Sequence, residues 1–245
     1  MKRTLLSITI VILAFLTYVA STSNAVPVEA NKVFTFDYVP KNTAKAGSAN
    51  FLIALTTPKF KHAENNFLGG YTLYTKLQES FQADIDEMLI AKGFNLKGTY
   101  SSYDEMVFTD KKDVQLLISL EIVPNITVVS GGWVRGISAN KQEIWAYRGV
   151  VTLGGKINIW GVEPMSNEKV YVKSIVIPTV ENIQLDSKGY YLNALDAAKR
   201  LYNPMGDAYL EIYTNIIEKI NVQLDPQEML TLKKEIKELK AKKGY

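Results

Sequence analysis

The chain of 245 residues contains no cysteine and a single histidine. Without a thiol there can be no disulfide, no zinc-thiolate centre, no cysteine nucleophile and no lipid-bearing N-terminal cysteine. The one imidazole, His62, lies in the polar run His62-Ala63-Glu64-Asn65-Asn66, which reads as an exposed loop, so a Ser-His-Asp hydrolase has little to build on. An excess of charge of one sign is also lacking. Net charge is +3, and with Lys2 and Arg3 set aside 26 basic residues face 25 acidic ones, which leaves no electrostatic footprint for nucleic acid. Even the lysine-rich end from Lys233 to Lys243 carries Glu235 and Glu238 and reads as a salt-bridged helix surface. No Gly-Lys-Ser/Thr follows the glycine cluster Gly131-Gly132-Trp133-Val134-Arg135-Gly136, and no dinucleotide fingerprint occurs.

What is present begins with an export pattern in residues 1–25. Lys2 and Arg3 precede an apolar run from Leu5 to Ala20, and small residues end at Ser23-Asn24-Ala25. The run is short for a membrane span, so cleavage before Val26 is expected, with an uncleaved anchor as the alternative; the mature chain then has no transmembrane span. Residues 26–245 read as one domain.

The organising stretch is Tyr71 to Ile122. On a 3.6-residue period Leu73, Leu77, Phe81, Ile85, Met88 and Leu89 share one helix face, and Asp84, Asp86 and Glu87 fall on the wet side or its boundary. Ala91-Lys92-Gly93-Phe94 ends that helix with a cation, a left-handed cap glycine and an apolar return. Phe94 to Tyr100 and Val114 to Ile122 read as strands around a short helical turn. Upstream, Val33 to Val39 alternates as a half-buried strand ended by Pro40, and Phe51 to Leu55 is a second strand. Downstream, the chain is expected to turn at Pro124 into a candidate strand, Asn125–Ser130, loop at Gly131–Gly136, and form a hairpin from Ile144–Leu153 and Lys156–Val162 through Gly154-Gly155. Val170 to Ile177 returns antiparallel, and Pro178 to Lys188 reads as a linker.

The rest is helical. A short helix is expected at Tyr190–Leu201, and the main C-terminal helices start from about residue 204, with Pro204 and Pro226 at first helical positions. The last helix has only the narrow stripe Met229, Leu232, Ile236 and Leu239, so it either projects or lies lightly on the domain. The fold class is α+β in two layers: a mixed, largely antiparallel sheet with helices packed on one face.

Trp133, Trp145 and Trp160 lie in the β-rich middle, with Arg135, Tyr147 and Arg148 close in sequence. Aromatic rings stack on sugars and guanidinium groups meet carboxylates, so Trp133, Arg135, Arg148 and Trp160 are the candidate ligand-binding residues. The competing reading is core packing, strongest for Trp145 and Tyr147, which share a face from which Arg148 points away. Asp104, Glu105 and Glu163 are carboxylates suited to capping or turns rather than to paired acid-base work. No catalytic or metal-ligating set and no cofactor motif stands out, and a non-enzyme is expected.

Several ordered segments together resemble the neuraminyllactose-binding haemagglutinin family, also called flagellar sheath adhesins. They are Tyr38-Val39-Pro40, Ala91-Lys92-Gly93-Phe94, Ser102-Tyr103-Asp104-Glu105-Met106-Val107-Phe108, Glu121-Ile122-Val123-Pro124, Glu163-Pro164-Met165-Ser166 and Lys237-Glu238-Leu239-Lys240. The likeness runs from about Val33 to Lys243. It implies an exported envelope protein, in the periplasm or at the outer membrane or cell surface, whose partner is a sialylated glycan or a host surface protein. Two departures stand out: the family's lipidated cysteine is missing, and its basic segment after the apolar strand is replaced by Asn125-Ile126-Thr127-Val128. The alternative is a periplasmic accessory protein of envelope assembly that docks an envelope protein through its C-terminal helix.

Overall fold

A computed structural model describes residues 32–61 and 71–244, apart from the side chains of residues 71 and 72; the expected export signal and the His62 run lie outside the described residues. The elements are β1 (Leu52–Thr56), β2 (Lys59–Phe60), α1 (Tyr71–Ala91), β3 (Asn95–Tyr100), α2 (Phe108–Asp113), β4 (Leu116–Ile137), β5 (Glu143–Glu163), β6 (Glu168–Asp186), α3 (Ala194–Lys199), α4 (Tyr202–Gln223) and α5 (Pro226–Lys243). They build one six-stranded sheet in the order β3-β1-β4-β5-β6, with β2 beside β4. The short strands β1, β2 and β3 pair in parallel, and the long β4, β5 and β6 pair antiparallel, which makes the mixed, mostly antiparallel sheet that the alternation predicts.

The long helices lie on one face because their apolar stripes have no other surface to cover. Leu77, Phe81, Ile85 and Leu89 of α1 and Tyr209, Tyr213, Ile216 and Ile217 of α4 share one buried cluster with Ile53 and Leu55 of β1, Ile118 and Leu120 of β4, and Ile157 and Ile159 of β5. Fully burying such a side chain contributes about 1.5–3 kcal/mol each. The cap of α1 forms as expected: Gly93 sits at φ 86°, and the Phe94 amide donates to the Leu89 carbonyl in the six-to-one bond of a Schellman end. On the other face the β3–β4 connector covers only a corner, a smaller cluster of Ala54, Met106, Val114, Leu117 and Val162.

Several expectations are corrected. The first concerns Val33–Val39, which alternates in burial but joins no ladder; Phe36 packs 5.3 Å from Tyr213 and Phe34 5.6 Å from Tyr202, so the segment is a strap over α4. A period of two reports which side chains are inward, not whether the backbone has a partner. The second concerns the chain beyond Ile122, where β4 continues through Pro124 and the glycine cluster to Ile137, paired with β5 throughout. Proline is tolerated because β2, the neighbour on the other side, pairs with β4 only as far as Ile122.

The third correction is that Gly154-Gly155 is no hairpin turn but a point inside β5 where strands crowd. A Cβ on Gly155 would stand 2.3 Å from the Val123 carbonyl oxygen, and the β5–β6 register shifts there. β6 likewise runs through Pro178, as an edge strand can, so the expected linker is strand as far as Asp186. The fourth concerns the last helix, expected either to project or to lie lightly on the domain: it does neither, being held firmly against it. Met229, Leu232 and Ile236 are buried, and lysines reach other elements: Lys240 lies 3.4 Å from the fully buried Glu163, and Lys243 lies 2.6 Å from Glu168. Lys240 also donates to the carbonyls of Lys112 and Val114, so α5 closes one end of the sheet. Its apolar stripe is therefore spent inside the domain and is not a free docking face.

The α4 boundary also moves. The helix starts at Tyr202, placing Pro204 third in the first turn, where its missing N–H would have had no helical acceptor. Pro226 holds the first position of α5, with Asp225 accepting from the Gln227 and Glu228 amides. The expected helix over Tyr190–Leu201 shrinks to α3, capped by Asn193 through the Asp196 amide. Among the described residues no helix is long and apolar enough to cross a membrane.

Candidate functional site

The far ends of β4 and β5 form the candidate site. A register shift between Val128 and Ser130 is followed by Gly131 opposite Gly149. A Cβ on Gly131, at φ 74°, would stand 2.1 Å from the Arg148 carbonyl oxygen, so only glycine lets the strands pass this closely. The shift sets the pairs that follow: Trp133 opposite Tyr147, and Arg135 opposite Trp145. Directly opposite residues share a sheet face. Both β5 residues direct their backbone N–H and C=O away from β4, to Ser187 and to Tyr191. The two pairs are therefore of the non-hydrogen-bonded kind, in which side chains stand closest.

Ring contacts follow from that placement. Trp133 meets Trp145 edge to face at 6.4 Å and Tyr147 at 5.2 Å. The Arg135 guanidinium lies 5.4 Å from the Trp145 ring and pairs with the Glu143 carboxylate. Trp133 is 42% exposed and the Arg135 side chain 68%, so this aromatic and cationic surface is open to solvent beside a shallow recess bounded by Gly136, Ile137 and Lys141. Tyr147 lies beneath, fully buried; burial pushes its phenol up, and its hydroxyl has no partner among the described residues.

Of the candidates read from the sequence, Trp133 and Arg135 come together. Arg148, opposite Gly132, projects from the other face of the hairpin, where it lies 5.7 Å from the Tyr190 ring and 3.7 Å from Asp186. Trp160 is at the distant end of β5, opposite Ser119, packed against the smaller cluster with the Lys169 ammonium 6.0 Å from its ring. The expected parity holds: Trp145 and Tyr147 share a face that Arg148 does not.

Two contributors were not visible in the sequence. Tyr191 bridges Trp145 antiparallel, with N–O distances of 2.6 and 2.8 Å, and Arg200 lies 5.3 Å from the Tyr191 ring. Both sit in a stretch that reads as one short helix, and nothing local announces a single bridging residue.

The carboxylates serve elsewhere. Glu105 accepts from the Ser101 amide and hydroxyl, which holds its carboxyl below the ordinary range. Glu163 accepts from the Met165 and Ser166 amides in the β5–β6 turn. Asp84, expected on the wet side or its boundary, is buried between α1 and α4 and accepts from the Tyr213 hydroxyl, and burial raises its pKa. A helical wheel places it at the boundary of the apolar face, and α4 then covers that boundary.

No family model matches the chain, and no curated protein matches it. Solved structures do. A neuraminyllactose-binding haemagglutinin homolog from Helicobacter pylori matches with a TM-score of 0.58 and 17% identity, over 84% of this chain and 100% of that one. A Xanthomonas campestris protein matches at a TM-score of 0.32 and 10% identity, over 81% of this chain and 98% of that one. A minor lipoprotein from Acinetobacter baumannii matches at 0.27 and 11%, over 71% and 89%. The first of these shows that the chain shares the fold of the haemagglutinin homolog.

Proposed function

We propose that the protein is an exported, non-enzymatic binding protein of the bacterial envelope that recognises an acidic, sialylated glycan through Trp133, Arg135 and Trp145. The observation that carries this reading is one solvent-open strand pair presenting an indole and a guanidinium side by side on the same face. An indole face packs on the apolar side of a sugar ring, and a guanidinium offers a fork of donors to its carboxylate. The fold shared with the haemagglutinin homolog and the export pattern of residues 1–25 support the same reading.

The test is a titration of residues 26–245 with 3′-sialyllactose, with lactose as the control, followed by tryptophan fluorescence and calorimetry. Sialyllactose is expected to shift the emission and to bind at least about tenfold more tightly than lactose, the difference that a single charge-assisted pair supplies. Trp133→Phe should remove most of the spectral response and Arg135→Gln most of the preference for the acidic sugar. If neither sugar gives heat or a spectral shift, the glycan reading falls, and an accessory role in envelope assembly would have to use a surface other than the buried stripe of α5.

A further inference from the structure

The site does not end at Arg135. Across the strands the same face carries Arg135 on β4, Trp145 on β5, Tyr191 bridged to Trp145, and Arg200 at the C-terminal end of α3. Across the backbones the order is Arg135, Trp145, Tyr191, with the Arg200 guanidinium against the Tyr191 ring. The two cation–ring distances are 5.4 and 5.3 Å. The indole and the phenol ring stand on neighbouring backbones, one strand spacing of about 4.8 Å apart, with one guanidinium against each ring. All four side chains are at least partly exposed.

Resting on the glycan reading above, we propose that this row binds an extended oligosaccharide with two acidic groups, one at Arg135 and one at Arg200, while the sugars between them lie on Trp145 and Tyr191. A lone terminal acidic sugar would use one end only. Two cations separated by aromatic surface fit a chain whose carboxylates recur with neutral rings between them, because each ring offers an apolar face where the row is aromatic. Glu143, ion-paired with Arg135, stands where the first carboxylate would approach, and the ligand must displace it. The row thereby discriminates against weak monovalent acids. Trp133, edge-on to Trp145, borders the row at its Arg135 end.

The experiment compares 3′-sialyllactose, with one carboxylate, against a hyaluronan tetrasaccharide and a disialylated oligosaccharide, each with two, by calorimetry on the mature chain. At least one two-acid probe is expected to bind about tenfold or more tightly than sialyllactose. Arg200→Gln should abolish that gain, Arg200→Lys should restore part of it, and Glu143→Gln should tighten all the probes. Lys199→Gln, which removes a neighbouring cation paired with Asp196, serves as the charge control and should leave the gain in place. Equal affinities for one-acid and two-acid probes overturn the proposal, as does a gain that survives Arg200→Gln or is lost equally with Lys199→Gln. Those outcomes leave the single-acid site standing, whereas no binding by any probe removes the glycan reading and this inference together.

Discussion

The two halves of the β4–β5 ladder have the same backbone and opposite purposes. In the near half, Leu120 and Ile122 stand opposite Ile159 and Ile157, and with Leu116 and Ile118 they are buried in the cluster with α1 and α4. In the far half, past Gly131 and Gly149, the same face carries Trp133, Arg135 and Trp145 with Tyr147 beneath. The near half is aliphatic because it must interdigitate with helices at the density of a protein interior. Where the covering layer thins, aromatic and charged groups can hold fixed positions on a paired backbone while still meeting solvent. The lesson is that strand pairing supplies rigidity throughout, and the helical layer decides which part is core and which part is surface.

That contrast can be broken most severely in the core. Phe81→Ala, at a fully buried position, is expected to cost about 4 kcal/mol in urea unfolding, whereas Trp133→Ala should cost about 1 kcal/mol or less, the value of an edge-to-face ring contact. Comparable losses from the two would mean that the far half is core as well.

Next in size is the closure at the opposite end of the sheet. Lys240→Ala leaves the Glu163 carboxylate buried with only two amides for company, and a loss of about 2–3 kcal/mol is expected by the same measurement. A change below about 0.5 kcal/mol would show that α5 contributes little beyond its apolar stripe.

Gly131→Ala sharpens the comparison within one strand. The added methyl meets the Arg148 carbonyl oxygen, so about 2 kcal/mol of strain is expected, confined to the far half. Hydrogen exchange should show faster exchange for amides in 130–137 and 143–149 with those in 116–122 unchanged. Uniform loss along β4 would instead mean that the two halves open as one unit.

The smallest effect concerns acid. Burial holds the Asp84 and Asp86 carboxyls above their ordinary range, so each binds its proton more tightly folded than unfolded. Their stabilising contribution is therefore full below the unfolded value, near about pH 4, and is lost as pH rises through the folded value. Asp84→Asn, which keeps an acceptor for Tyr213, should flatten the decline of the urea midpoint as pH rises above the ordinary carboxylate range. A slope identical to that of the parent would rule Asp84 out as its source.

The α1 stripe, its Gly93 cap, the Asp225–Pro226 start of α5 and the two-layer class were legible because each depends on neighbours within a turn or two of helix. Pro124, Gly131–Gly136, Gly154-Gly155 and Pro178 were misread for a common reason. Locally, proline and glycine signal a break, yet here they mark a half-free edge and points of close strand approach, conditions set by residues far along the chain. The candidate site divides in the same way. Trp133 as an exposed contact follows from its glycine neighbours and the parity separating Arg148 from Tyr147 from strand geometry, but the union of Arg135 with Trp145, and of both with Tyr191 and Arg200, depends on a register that a bulge resets.

Sequence alone determined the inward stripe of α1 and the inward side chains of Val33–Val39, because the 3.6- and 2-residue periods are properties of the local backbone. Tertiary structure alone decided which strands continue through their glycines and prolines, that α5 folds back onto the sheet, and which aromatic and guanidinium groups share one surface. Those outcomes rest on pairing and burial between distant segments, and such contacts leave no periodic trace in either partner.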